Sequence, residues 1–402
     1  MTTNHHLKKI LSFSFIIFCF CTGIGIGIFI RFGRIQTLEA ATTSPVLNQI
    51  NSSDTPGSTE PVSSSLQKQL IIDQQINTQN ITIQAVGDII PGTNYPNYRL
   101  PRNKNQLFPQ SVRRYLQRAD LLFGNFESTL TKHRYSSKDI SRGQVFAFRS
   151  PPAYAKLFKD VGFDVFNIAN NHALDFGMVG LKDTVNHLKS VGIETVGHKN
   201  QILIVEVNNL KVAMLGFAPY EFYNSIHDLE AAEKLVKAAK QKADIVIVSM
   251  HAGAEGTGAL RVRNQTEFFY GENRGNSIKF ARQMIDVGAD IVLGHGPHVP
   301  RAMEIYKDKL IAYSLGNFLG YKTLSTRAQT GYSMILETKI NREGKLLGAK
   351  IIPVHLNSQG IPYIDQNFRT VGLLRYLINK DFPQTPVKID KKGAIVLANA
   401  ER

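Results

Sequence analysis

Five short apolar runs in this chain each end in residues able to bind a cation or move a proton. Gly87-Asp88 closes the first and Gly124-Asn125-Phe126-Glu127 the second. Asn170-Asn171-His172, with Asp175, closes the third, His251-Ala252-Gly253-Ala254-Glu255 the fourth, and Gly294-His295-Gly296-Pro297-His298 the fifth. Carboxylate, amide and imidazole groups are the oxygen and nitrogen donors that hard or borderline divalent ions accept. Imidazole also exchanges protons near neutral pH. Singly, each fragment has a bland explanation: Asp88 or Asn170-Asn171 as turn residues, Glu127 as an exposed charge, His251 in a core, His295 and His298 as structural. The ordered set points instead to one site, because open α/β sheets gather ligands beyond the carboxyl ends of their strands. The chain has 402 residues and two cysteines, Cys19 and Cys21. That excludes a disulfide scaffold or a Cys-rich zinc module, so a transition-metal site must use His, Asp, Glu and Asn.

The elements that position these residues are legible as alternating patterns. Strands are expected at Ile81–Gly87, Asp120–Asn125, Phe163–Ile168, Lys211–Phe217, Asp244–Met250 and Asp290–Gly294, all short and rich in apolar or β-branched residues. Apolar residues recur at three and four in Val179–Val191, Leu229–Lys242 and Ser277–Val287, which predicts helices. Over Ala302–Leu315 and Gly331–Leu356 the pattern turns to successive strands, with turns at Lys307-Asp308 and Arg342-Glu343-Gly344. The expectation is one α/β sandwich domain over residues 81–356 and a C-terminal appendage over 357–402.

The N-terminal fifth is different. Ile10–Ile30 is an apolar run of 21 residues, ~31 Å long as a helix against a bilayer core of ~30 Å. Lys8 and Lys9 precede it, which places the short N-terminus in the cytoplasm and the rest of the chain outside. Residues 1–34 are therefore read as cytoplasmic tail and membrane anchor, with a cleaved signal peptide as the alternative. Residues 35–80 are dominated by Ser, Thr, Asn, Gln and Pro and read as a flexible stalk, since they hold too little apolar surface to offset ordering entropy. The net charge is +15. Between Arg99 and Arg142, ten Lys or Arg stand against three acids, either a face for a polyanion or a solvated loop. No nucleic-acid-reading motif is present.

Together with Ser314-Leu315-Gly316-Asn317-Phe318, the five motifs resemble the CapA family of capsule-synthesis proteins over residues 81–325. That family is associated with poly-γ-glutamate and belongs to the calcineurin-like metallophosphatase superfamily. The resemblance implies a four-layer αββα sandwich, membrane anchoring, and divalent ions such as manganese, zinc or iron at one sheet end. It implies Asp88, Glu127, Asn171, His251, His295 and His298 as metal ligands and His172 as proton donor. Asp175 would orient His172, and Glu255 would support His251. The sequence departs from the superfamily pattern in two places. Ile90 stands where an imidazole follows the opening aspartate, and the closing histidine pair is stretched to His295-x-x-His298. Two functions follow: a metal-dependent hydrolase or transferase of a phosphoester, amide or polymer bond, or a non-catalytic subunit guiding an anionic polymer such as poly-γ-glutamate. Either would work with membrane-bound synthesis or export subunits.

Overall fold

The computed structural model describes residues 80–397. The expected anchor and stalk lie outside the described residues. Among those described, no helix is long and apolar enough to cross a membrane.

Two mixed sheets stack face to face. In the first, parallel strands Asn80–Ile90, Leu121–Phe126, Val165–Asn167 and Glu194–Val196 run outward from the centre. The antiparallel strands Tyr332–Asn341 and Leu346–Leu356 extend it on the other side. The second sheet has a parallel core of Leu210–Ala218, Ile245–His251, Ile291–His295 and Lys309–Ala312. Antiparallel partners Leu203–Val207 and Met303–Tyr306 form its edges.

Side-chain alternation explains the stacking. Ile81, Ile83 and Ala85, with Leu121 and Phe123, share a core with Val212, Met214 and Leu293 of the second sheet. Val86, Ile89, Leu122 and Phe126 turn the opposite way. They pack on Val112 and Leu116 of helix Gln110–Leu116 and on Leu157, Phe158 and Val161 of helix Tyr154–Val161. A strand buried on both faces tends to read as a nearly continuous apolar run, and these strands do so apart from Gln84 and the polar residues of the site. Helices Leu229–Lys240 and Ser277–Asp286 cover the second sheet through Val236, Ala239, Phe280 and Met284. The result is the expected order of helix, sheet, sheet, helix.

The predicted turn at Lys307-Asp308 forms the hairpin, with φ of 48° and 62° at the two residues, the mirror-image turn whose twist suits two strands. The stretch expected to be a C-terminal appendage is part of the domain. Pro362–Ile364 pairs with Leu346–Leu356, and the Ala394–Leu397 strand joins the same sheet beside Val387–Ile389. Helix Arg369–Asp381 buries Val371, Leu374, Leu377 and Ile378 in the inter-sheet core. Its apolar stripe is short and follows turn residues, so local pattern gives no sign of the partner sheet. The basic stretch from Arg99 to Arg142 is likewise not a single loop, since it contains the Gln110–Leu116 helix and the buried Leu121–Phe126 strand.

Candidate metal centre

Strand register assembles the site. Across the first sheet, Asn317, Asp88, Asn125 and Asn167 are successive partners, one from each of four neighbouring parallel strands. In the second sheet His251 and His295 are direct partners. Apart from Asn317, which opens its short strand, both rows stand at or near carboxyl ends of strands, so two lines of polar side chains face one another at one end of the sandwich. The register shifts between Asp88 and Ile89, a bulge of the kind that re-aims a side chain beside a site. Two glycines make the approach possible. A Cβ on Gly87 would lie 1.8 Å from the Gly316 carbonyl oxygen, which accepts the Asp88 N–H. A Cβ on Gly296, at φ 102°, would press on the His251 ring at 3.0 Å.

Asp88, Glu127 and His298 offer ligand atoms that lie within 4.8 Å of one another. His298 Nδ1 is 3.0 Å from Asp88 Oδ2, and its Nε2 is 3.8 Å from Glu127 Oε2. His295 Nδ1 is 3.6 Å from Asp88 Oδ1, and His251 Nδ1 is 3.2 Å from Glu127 Oε1. Asp88, Glu127, His251 and His295 are fully buried. His298 holds a left-handed φ of 59°, unusual for a residue with a Cβ, and its Nδ1 is 2.9 Å from Asn317 Oδ1.

The electrostatics favour a cation. Burial would raise the Asp88 pKa, but contacts with His295 and His298 outweigh it and hold the carboxyl well below its ordinary range. Burial, then repulsion from Asp88, push Glu127 well above its ordinary value. Burial also drives His251 far down. It would lower His298 too, yet Glu127, Asp88 and Glu255 carry that imidazole up to about 10. Six donor atoms of these residues are buried without a hydrogen-bond partner among the described residues: Glu127 Oε2, Asn171 Oδ1, and both ring nitrogens of His251 and His295. Buried polar groups are normally paired, and each orphan costs ~1–3 kcal/mol. Oxygen and imidazole donors left bare beside two buried carboxylates fit a divalent ion.

His172 and Asp175 lie on the turn that follows the Val165–Asn167 strand. His172 Nδ1 is 3.0 Å from Asp175 Oδ2, and the Phe148 ring rests on the imidazole at 4.6 Å. Burial, then the Lys138 charge, lower the His172 pKa against the pull of Asp175. The turn itself is fixed by Asn170, whose Oδ1 accepts the N–H groups of His172 and Ala173.

The structure therefore brings Asp88, Glu127, His251, His295 and His298 together, with Asn171 and the His172–Asp175 pair on the adjoining turn. Glu255 differs from expectation. It stands 3.8 Å from His298 Nε2 and is held by Arg274 at 2.9 Å, while the carboxylate facing His251 is Glu127. Motif reading gave no role to Asn125, yet its amide donates to both Asp88 Oδ1 and Glu127 Oε1, at 2.9 and 3.1 Å. Its position inside the Gly124–Glu127 motif was the signal. Arg301 was missed as well. It is fully buried and paired with Glu267, which together with the Ala254 carbonyl ties down the excursion after His251. Nothing local distinguishes that arginine from a surface one.

Fold and site thus define a two-sheet α/β protein with a buried Asp/Glu/His cluster at its strand ends that could hold a cation. The profile of the family described as Bacterial capsule synthesis protein PGA_cap matches residues 82–322, and the chain belongs to that family. It is 30% identical over 259 residues to the PGA biosynthesis protein CapA of Bacillus subtilis (strain 168), covering 60% of this chain and 63% of that protein. It is also 30% identical over 264 residues to the Capsule biosynthesis protein CapA of Bacillus anthracis, covering 60% of each. The match thus spans somewhat under two thirds of these relatives. Among solved structures, a 5'-nucleotidase precursor from Thermus thermophilus aligns over 75% of this chain and 59% of its own, at 15% identity and a TM-score of 0.41.

Proposed function

We propose that this protein is a metal-dependent hydrolase or transferase of a phosphoester, amide or polymer bond in capsule or poly-γ-glutamate synthesis. It would be held by the Ile10–Ile30 helix with its domain outside the cytoplasmic membrane, beside an anionic polymer and membrane synthesis or export subunits. The observation that carries this reading is the Asp88–Glu127–His298 cluster, with Nδ1 of His251 and His295 set 3.2 and 3.6 Å from its carboxylates and both of those rings buried without a hydrogen-bond partner among the described residues. When bound, a divalent ion supplies Lewis acidity, polarising an electrophilic substrate and making hydroxide available near neutral pH. Asp88, Glu127, Asn171, His251, His295 and His298 are the residues that would hold it. In the doubly protonated imidazolium, Nδ1–H of His172 would donate to Asp175, whose charge supports that form, and the Nε2 proton would be the one delivered to the leaving group.

Bound metal, thermal stability and polymer output, measured for three variants, test the assignment. His251→Ala and His295→Ala should lose metal, whereas His172→Ala should keep it and lose output. Normal output from a folded, metal-loaded His172→Ala protein would overturn the catalytic role. One observation favours the second function, a non-catalytic subunit that binds the polymer: Ile89 and Ile90, after Asp88, are apolar and fully buried, so that side of the pocket adds no imidazole. Under that reading His172→Ala leaves output intact. Protease added to intact spheroplasts checks the topology, and full protection of the domain would reverse it.

A further inference from the structure

Beside the ligand cluster, several polar groups converge on Asp175 from a distant part of the chain. Asp175 is fully buried. Lys138 Nζ lies 2.6 Å from its Oδ1, and the Phe148 N–H donates to its Oδ2 at 2.6 Å, the same oxygen that faces His172 Nδ1 at 3.0 Å. The Asp175 carbonyl oxygen accepts the Ser137 N–H at 2.9 Å and the Ser136 hydroxyl at 3.0 Å. The Ser137 hydroxyl donates to the neighbouring Leu174 carbonyl. Lys138 also donates to the Phe146 carbonyl at 3.2 Å, which closes its own loop. One carboxylate and one backbone carbonyl therefore gather both arms of the segment from 136 to 148.

A buried carboxylate whose partners are a single N–H and an imidazole would keep part of its charge uncompensated, which is strongly unfavourable away from water. Lys138 removes that cost, and it does so from a side chain that remains 26% exposed. Its ammonium is also 3.3 Å from His172 Nδ1. Lysine has donors only and cannot accept a proton from a ring N–H. With Nδ1 protonated toward Asp175, the ammonium pairs with Oδ1 and leaves Oδ2 to the ring and the Phe148 N–H. We infer that Lys138 is a positioning residue: it locks Asp175, and through it the ring of His172, and so makes docking of the segment from 136 to 148 a condition for a correctly oriented imidazole. This rests on the reading of His172 as the proton donor, but the orientation itself is measurable without turnover.

The test uses the full chain, with Lys138→Met, which keeps length and loses charge, and Lys138→Arg, which keeps charge. Three quantities are followed: the imidazole nitrogen and hydrogen-bonded ring-proton resonances of His172, amide exchange at Ser137 and Phe148, and thermal stability. Lys138→Met should lose or broaden the His172 Nδ1–H resonance and speed exchange at those two amides by roughly tenfold or more, as local opening becomes easier. Lys138→Arg should restore both. Unchanged His172 resonances in Lys138→Met, or failure of arginine to restore them in a folded protein, would overturn the inference. A further measurement on the unmodified protein guards against a misfolded variant. The Lys138 ammonium protons should exchange more slowly than those of exposed lysines such as Lys132, and equal rates would overturn it as well. An absence of hydrolytic activity in every variant would count against the proposed reaction and not against Lys138.

Discussion

The two sheets supply opposite halves of the pocket, and they treat their polar groups differently. The first sheet contributes carboxylates and amides that are wired to one another. Asn125 donates to Asp88 and Glu127, and its own oxygen accepts from Asn167 and Asn170 at 2.9 and 3.1 Å. The second contributes His251 and His295, whose Nε2 atoms have no partner among the described residues. The first half is tied together by Asn125, with Glu127 Oε2 and Asn171 Oδ1 left open, whereas both ring nitrogens of the two histidines in the second lack a hydrogen-bond partner among the described residues. Satisfied networks fix positions, while orphaned donors store the free energy that a ligand releases. The Asn125 network of the first sheet should therefore answer mainly for stability, and the imidazoles of the second mainly for metal affinity.

The largest consequence concerns chemistry that neither half performs alone. His172→Ala should lower turnover by ~10²- to 10⁴-fold, the usual worth of a positioned general acid, with bound metal unchanged by elemental analysis. Next comes the ion itself. At about 100- to 1,000-fold excess over its Kd, a metal stabilises the folded state by ~3–4 kcal/mol. A chelator should take that amount from the unmodified protein in denaturant titrations and almost nothing from a His251→Ala/His295→Ala variant. If chelation destabilises both equally, the imidazole side is not where the ion is held.

Asn125→Ala should behave in the reverse sense. It strands acceptors on Asp88 and Glu127 and donors on Asn167 and Asn170, so ~3 kcal/mol should disappear from the metal-free protein. No loss in the metal-free state would mean that the first sheet's network is not self-sufficient. The smallest effect is on pH. His298, raised to about 10 in the metal-free pocket, adds stability that is full below its unfolded value of ~6.5 and fades as pH climbs toward that raised value. Metal binding must displace the same proton, so metal affinity should rise with pH, by about tenfold per unit between roughly pH 6.5 and 8.5. Calorimetry in buffers of different ionisation enthalpy would count the proton released. Binding without proton release would remove His298 from the ligand set.

The strand over residues 80–90 and the helices near 179, 229 and 277 were legible in the sequence, because burial on one or both faces writes itself into the local pattern. The ligand types at strand ends were legible for the same reason, since a polar residue after an apolar run is conspicuous. Asn125 stood inside a motif without a role, because whether an amide bridges two carboxylates depends on the register between strands. Glu255 was assigned to His251 through closeness in sequence, yet the backbone turns between them and delivers the carboxylate to His298 and Arg274. The segment after Asn357 looked like an appendage because its partner strand, Leu346–Leu356, already had one neighbour in view.

By itself, then, the sequence determined which groups could do chemistry here and that they would stand at the ends of strands. Residue type and hydrophobic period are local properties, read within a window of a few residues. Only the tertiary structure decided which groups meet. Asp88 and Gly296 are 208 residues apart and share a hydrogen bond, and Lys138 reaches Asp175 across a distance in sequence that no motif spans. Burial and the alignment of two sheets set those contacts. The same burial leaves the Nε2 atoms of His251 and His295 without partners and lifts His298 above ordinary imidazoles, because charge and hydrogen bonding take their value from the surroundings that only folding creates.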